Sequence, residues 1–326
     1  MNPSLKLLAA LLAFTPASAQ QRGSCQPSGH DLPPPLIGTA SRAELAAFAE
    51  AGGQIERDRD PRDVLAEHRR LSAALARLQP QRRGQVDAYI VSVALDSDPV
   101  FGREAREAAR VLARRYRADG RAITLAGSDG RAPGDLPMGS PISLAAALAR
   151  VAELMDARED VLVLYLTTHG APGGIVYNDG DQGYGAIAPA KLARTLRELG
   201  IENRLLFISA CYSGQFVPAT ASARTAIVTA SAADRTSFGC KADNDWTFFG
   251  DALVNRALRK PQPLARAVEE ARGLVARWER RGGLDGSDPQ VSVGRAAARW
   301  LGRLERDLPS PTTPVGRPAL DALDRP

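Results

Sequence analysis

Cysteine and histidine are both scarce. The 326-residue chain holds only Cys25, Cys211 and Cys240, and only His30, His68 and His169. A structural zinc site needs about four clustered Cys or His ligands. Zinc-finger and multi-histidine architectures are therefore nearly excluded. Three cysteines also rule out a disulfide-dense scaffold. Lysine is rarer still for a basic chain. Only Lys6, Lys191, Lys241 and Lys260 occur, so nearly all of the 42 basic residues are arginine. These arginines are scattered among Asp and Glu and form no basic stripe with interleaved aromatics. The net charge of +5 and the pI near 9.4 therefore do not indicate a nucleic-acid partner. Beyond Ala19 no segment is apolar enough to span a bilayer, so no stable membrane insertion is expected. What remains is an ordinary globular balance, 44% hydrophobic and 24% charged, with length for a sizeable core.

The N-terminus sets the expected compartment. Residues 1–19 read as a secretory signal peptide: Lys6 supplies the positive region, Leu7 to Phe14 the apolar run, and Ala17-Ser18-Ala19 the small-residue cleavage site. The chain is then an exported protein, periplasmic or secreted, whose mature part starts near Gln20. Export makes the odd number of cysteines informative, because an oxidising compartment pairs thiols and one must be left over.

After the leader, residues 20–85 read as a helical N-terminal prefix and linker. Leu65, Leu71, Leu75 and Leu78 recur at helical spacing, and Pro61 fits a first turn. The main domain spans residues 86–305. Apolar runs at Val86–Leu95, Asp160–Thr168, Leu205–Ser209 and Thr225–Ala230 are near-continuous, the pattern of strands buried on both faces of a parallel sheet. Helical stretches lie between them. Alternation of strand and helix implies an α/β architecture with a mainly parallel central sheet. Residues 306–326 are Pro-rich and are expected to be a disordered tail.

In parallel sheets, chemistry gathers at the carboxyl ends of the strands. One strand runs directly into His169-Gly170, and the next into Ala210-Cys211-Tyr212-Ser213-Gly214. A single helix separates them, so they form one βαβ unit with both ends on one edge. A thiol attacks carbonyl carbon only when deprotonated. An adjacent imidazole can take that proton and later hand it to the leaving amine. Cys211 and His169 are therefore the candidate catalytic pair. The backbone N–H groups of Gly170 and Cys211 are candidates for an oxyanion hole. Gly170 and Gly214 would let backbone come close to a substrate.

At these residues the chain resembles the legumain-type cysteine peptidases, in their bacterial branch, within the caspase-like clan. The segments that carry the resemblance are Leu162 to Gly170 and Leu206 to Cys211, with Phe101-Gly102-Arg103-Glu104-Ala105, Tyr212-Ser213-Gly214, Thr229 to Cys240 and Ser287-Asp288-Pro289-Gln290 in support. The resemblance implies a caspase-like three-layer sandwich and peptide-bond hydrolysis through a thioester. It also implies a protein or peptide substrate and no cofactor. Cys211 would be the nucleophile and His169 the general acid/base. Ser231 and Asp234 are the candidates for binding the residue before the cut. Thr168 and Tyr212 stand where plant and animal legumains have Asp and Glu, so cleavage after Asn does not carry over. The third, orienting residue is unassigned, with Asp96, Ser97 and Asp98 lying after the first strand.

Two other functional classes remain in view: a catalytically silent peptide-binding module on the same fold, and a transamidase or ligase that resolves the thioester with an amine. For the cysteines, the expected arrangement is a free Cys211 with Cys25 and Cys240 paired; the rival is a Cys211–Cys240 bond. A non-reduced peptide map should recover Cys211 as a free thiol, and finding it in a disulfide would sink the first arrangement.

Overall fold

The computed structural model describes residues 40–127, 134 and 136–324. The signal-peptide segment and Cys25 lie outside the described residues. In chain order come α1 (Arg42–Ala51), β1 (Gln54–Glu56), α2 (Pro61–Ala76), β2 (Ala88–Ala94), α3 (Pro99–Arg115), β3 (Ala122–Leu125) and α4 (Pro141–Leu154). Next are β4 (Val161–Thr167), β5 (Gly170–Ala171), β6 (Gly174–Asp179), β7 (Gly183–Ile187), α5 (Pro189–Glu198), β8 (Arg204–Ser209) and α6 (Phe216–Thr220). The chain closes with β9 (Thr225–Thr229), a π-helical segment (Gly250–Ala257), α7 (Leu264–Arg281), β10 (Gln290–Val293) and α8 (Arg295–Leu304).

The main sheet has six strands in the order β10-β9-β8-β4-β2-β3, parallel except for β10. Every residue of β2, β4 and β9 is buried, as continuous apolar runs require. Alternation sends side chains to two different cores. Val161, Val163 and Tyr165 face the core under α3, the π-helix, α7 and α8. Leu162, Leu164 and Leu166 face the core under α4 and α5. The result is the three-layer α/β arrangement.

Helix starts follow local chemistry. Ser140 accepts a hydrogen bond from the Ser143 N–H at 3.1 Å with Pro141 in the first turn, and Asp60 does the same for Arg62 at 2.7 Å ahead of Pro61. Ser41 and Glu44 form a reciprocal capping box on α1.

Three regions differ from the sequence reading. The prefix is not helical throughout. It contains β1, which pairs with β7 and completes a second, antiparallel sheet β1-β7-β6-β5. That strand is too short to show a period, and its partner lies far along the chain. Arg59 reaches across to Asp179 and to the Tyr177 hydroxyl, 3.2 Å away, while Tyr177 donates to Glu56 at 2.9 Å. Second, one helical stretch after the last apolar run is not α-helical but π-helical, over Gly250–Ala257. A Cβ on Gly250 would stand 2.1 Å from the buried Glu104 carboxylate, so a side chain there would have to displace that carboxylate. Third, the Pro-rich tail expected to be disordered is tied to the domain: residues 310–318 are exposed but hydrogen-bonded to it, and Ala319 is buried. Trp246 Nε1 donates to Val315 O at 2.9 Å, and Asn255 both gives and receives a bond with the Val315 backbone. The Ala319 N–H donates to Asp251 at 2.9 Å. Side-chain amides and carboxylates supply the partners that an extended, Pro-rich segment cannot find in itself.

Arg59→Ala should cost about 3 kcal/mol in urea unfolding, because it strips a guanidinium from a carboxylate that is only 2% exposed. Arg62→Ala, with a side chain 93% exposed, should stay within about 0.5 kcal/mol of wild type.

Candidate functional site

β4 and β8 pair in parallel with Thr167 opposite Ser209. Two residues further on, at matched positions, come His169 and Cys211. The Thr168 N–H donates to Ser209 O at 3.2 Å, carrying the pairing one step past the strands. The sheet thus sets the pair abreast on one edge. Cys211 is free, and Cys240 is bonded in a disulfide, so the two are not joined to each other.

Gly170 lies against the Cys211 backbone. A Cβ there would fall 2.0 Å from Cys211 O, so only glycine admits this approach. The Val176 N–H donates to His169 O at 3.0 Å. In an antiparallel ladder that bond makes Gly170 and Ile175 a non-hydrogen-bonded pair, so the Gly170 N–H is not spent on β6. Gly214 plays a different part from the one expected. A Cβ on it would meet Ala233 N at 2.5 Å, so it fits the chain's own backbone rather than a substrate. Tyr212, just after the thiol, takes a left-handed conformation (φ 56°), and its N–H donates to Arg235 O at 2.7 Å. A non-glycine residue held there marks a turn fixed by its surroundings.

The thiol sits in a nest made by Ser237. The Ser237 N–H donates to Cys211 Sγ at 3.2 Å, and its carbonyl and hydroxyl oxygens lie 3.6 Å from the sulfur. Burial pushes the Cys211 thiol up, and the Ser237 hydrogen bonds pull it back only in part. The resting group is therefore a thiol, not a thiolate.

His169 is oriented by the segment after β2. Its Nε2 lies 3.5 Å from Asp98 Oδ2, a contact that is electrostatic more than a formed hydrogen bond. Phe101 packs edge-on against the ring, centroids 4.9 Å apart. The Asp98 segment is itself tied to β6. The Asn178 N–H donates to Leu95 O at 2.9 Å, Ser97 N–H donates to Asn178 O at 2.9 Å, and Gly180 N–H donates to Ser97 Oγ at 2.9 Å. Burial pushes the imidazole down, but the contact with Asp98 and the charges of Asp96 and Asp98 outweigh it, and the net shift is upward. With Nε2 facing Asp98, Nδ1 is the nitrogen left to act on a substrate. Asp98 thus fills the orienting position that the sequence left open. The signal was present, since β2 is a third strand ending on the same edge, but three neighbouring polar residues could not be ranked. Asp96, Asp98 and His169 also bring donor atoms within 4.8 Å of one another. Three such donors could hold a cation, but they fall one short of a closed zinc site.

Of the two proposed binding residues, Ser231 does not reach the open face of the site. Ser231 is fully buried; its hydroxyl accepts from Ser213 N–H at 3.1 Å and donates to Ala210 O at 3.2 Å, bracing the turn that carries Cys211. A strand-end serine cannot be told from such a brace by sequence. Asp234 is exposed in a turn. Ser237 was missed; it lies within a segment that resembles the family, with no spacing to mark it.

Residues 144–298 match the model of the Peptidase C13 family. The matched stretch holds β4, His169, β8, Cys211 and the Ser237 loop. Among solved structures, the chain is similar to "Crystal Structure of Caspase-1 from Spodoptera frugiperda", at 15% identity and a TM-score of 0.42, over 66% of this chain and 92% of that one. No curated protein matches the chain.

In this site, raising the His169 pKa on folding means that its protonated form adds stability. The contribution is full below the unfolded value of about 6.5 and is lost as pH rises through the folded value. Asp98→Asn should lower the His169 midpoint in an NMR titration and flatten the slope of stability against pH in that window. An unmoved midpoint would show that Asp98 does not hold the imidazole.

Proposed function

We propose that the protein is an exported cysteine endopeptidase acting through Cys211 and His169. The match of residues 144–298 to the Peptidase C13 family model supports a peptidase. The observation that carries the reading is the matched register of β4 and β8, which sets the two residues abreast with the Gly170 backbone against Cys211. In the reaction, Cys211 Sγ bonds to the scissile carbonyl carbon as its proton passes to His169. The N–H groups of Gly170 and Cys211 receive the developing oxyanion. His169 returns the proton to the leaving amine as the C–N bond breaks, leaving a thioester. Water, deprotonated by the same imidazole, then releases the acid and restores the thiol.

The raised thiol pKa favours deprotonation in concert with substrate binding over a standing ion pair. Asp98 orients His169 throughout. Export rests on the leader at residues 1–19; among the described residues no helix is long and apolar enough to cross a membrane. The mature protein would work in the periplasm or outside the cell. The residue before the cut is not assigned to asparagine, because Thr168 and Tyr212 depart from the pattern tied to that preference.

Purified mature protein should cut a peptide library at defined positions mapped by mass spectrometry. Cys211→Ala should lose on the order of a thousandfold or more in kcat/KM. Equal cleavage by wild type and Cys211→Ala would end this reading. Products formed with added amines in place of water would favour the transferase class. N-terminal sequencing of the exported protein should begin at Gln20.

A further inference from the structure

The segment from Ser237 to Thr247 has two ends with different tasks. Its start gives the thiol the Ser237 N–H. Its far end is held by the C-terminal tail. The Arg317 N–H donates to Asp245 Oδ2 at 2.7 Å, and the Arg317 guanidinium binds Asp245 Oδ1 at 3.3 Å and the Asp243 carbonyl. Next along, Trp246 donates to Val315 O. Gly316 has φ of 73°, and a Cβ there would stand 3.1 Å from Asp245 Oδ2, so glycine lets the tail come this close.

The two ends of the loop are coupled. Asn244 Nδ2 donates to Gly239 O at 2.8 Å, and the Phe248 N–H donates to Phe238 O at 2.9 Å. The bonds run from the tail-held end to the two residues that follow Ser237, Gly239 and Phe238. Arg103 of α3 adds a bond to Ala242 O at 2.6 Å. Burial pushes the Asp245 carboxyl up, but the Arg317 hydrogen bonds and the charges of Arg317 and Arg103 bring it below its ordinary range. The ion pair is therefore intact at neutral pH.

We infer that Arg317 is a positioning residue for the thiol, holding the Ser237 N–H on Cys211 Sγ through the 237–247 loop. The inference rests on reading Cys211 as the nucleophile, and it goes beyond that reading by giving the tail a part in the site. A hydrogen bond to sulfur favours the thiolate, so whatever fixes Ser237 raises the reactive fraction. Arg317 is half-exposed and touches no reacting atom. A merely structural role would change thermal stability without changing the chemistry of the sulfur.

The test uses the full mature chain as wild type, Arg317→Ala and Arg317→Lys. Iodoacetamide alkylation of Cys211 is followed by peptide mass spectrometry across the pH range in which a thiol ionises. Arg317→Ala should alkylate roughly threefold to tenfold more slowly at neutral pH, with its midpoint moved upward and faster amide exchange at Ser237. Arg317→Lys, which keeps the charge but not the fork, should fall between. A wild-type alkylation profile and unchanged exchange in Arg317→Ala would overturn the inference. If that variant fails to fold, Asp245→Asn takes its place with the same expected direction, and a wild-type profile there overturns it equally. Alkylation needs no peptide substrate. A wild type that cuts no peptide, beside an Arg317→Ala protein that still alkylates slowly, would remove the peptidase reading and leave the positioning role standing.

Discussion

The parallel register of β4 on β8 is the constraint from which the site follows. Tyr165 stands opposite Phe207, and Thr167 opposite Ser209. A slip of one residue would send every side chain of one strand into the other core and part His169 from Cys211. Apolar burial alone specifies this weakly here, because both faces are buried and both accept aliphatic residues. The buried Glu104 removes the ambiguity. Its carboxylate accepts from the Tyr165 hydroxyl at 2.7 Å and from Thr247 N–H and Oγ1 at 3.0 and 2.8 Å, while Ser209 lies 3.3 Å from Thr247 Oγ1. Only one register satisfies β4, β8 and the start of the π-helix together. An unsatisfied member would cost on the order of 1–3 kcal/mol. The network thus acts on specificity, four residues before His169 on β4 and two before Cys211 on β8.

The same edge separates two electrostatic environments. His169 sits beside the carboxylates of Asp96 and Asp98, which favour its charged form, while Cys211 sits in a buried nest that disfavours the thiolate. Placing the negative charge on the aspartates rather than on sulfur keeps the resting thiol neutral. A neutral thiol is a poorer target for oxidants than a thiolate.

The strands, their order of burial and the two strand-end residues were legible because each depends on local pattern. A run such as Val161 to Thr167 can hardly be anything but a buried strand, and its direct continuation into His169 fixes where the histidine lies. Asp98, Ser237 and the true part of Ser231 were not legible. Each is a small polar residue in a turn, where the same residue type serves as cap, brace or functional group. What separates these roles is a partner far along the chain: Asp98 with His169, Ser237 with Cys211, Ser231 with Ser213. The tail failed for a related reason. Composition reports what a segment can do alone, and residues 309–324 are ordered by what they lie on.

Long-range contacts also revise the standing of the two ends of the described chain. The prefix adds β1 to the small sheet, and Arg59 locks onto Asp179 at the end of β6. β6 in turn carries Asn178, which ties down the Asp98 segment. The tail holds Asp245 and Trp246 at the far end of the loop that serves Cys211. Each partner of the pair is thus braced by a different end of the chain: the imidazole side from before the main domain, the thiol side from after it. A removable inhibitory segment would cover the site and leave its frame intact. Residues 54–59 are instead part of the frame, so cutting them away would loosen the orientation of His169 and not unblock it.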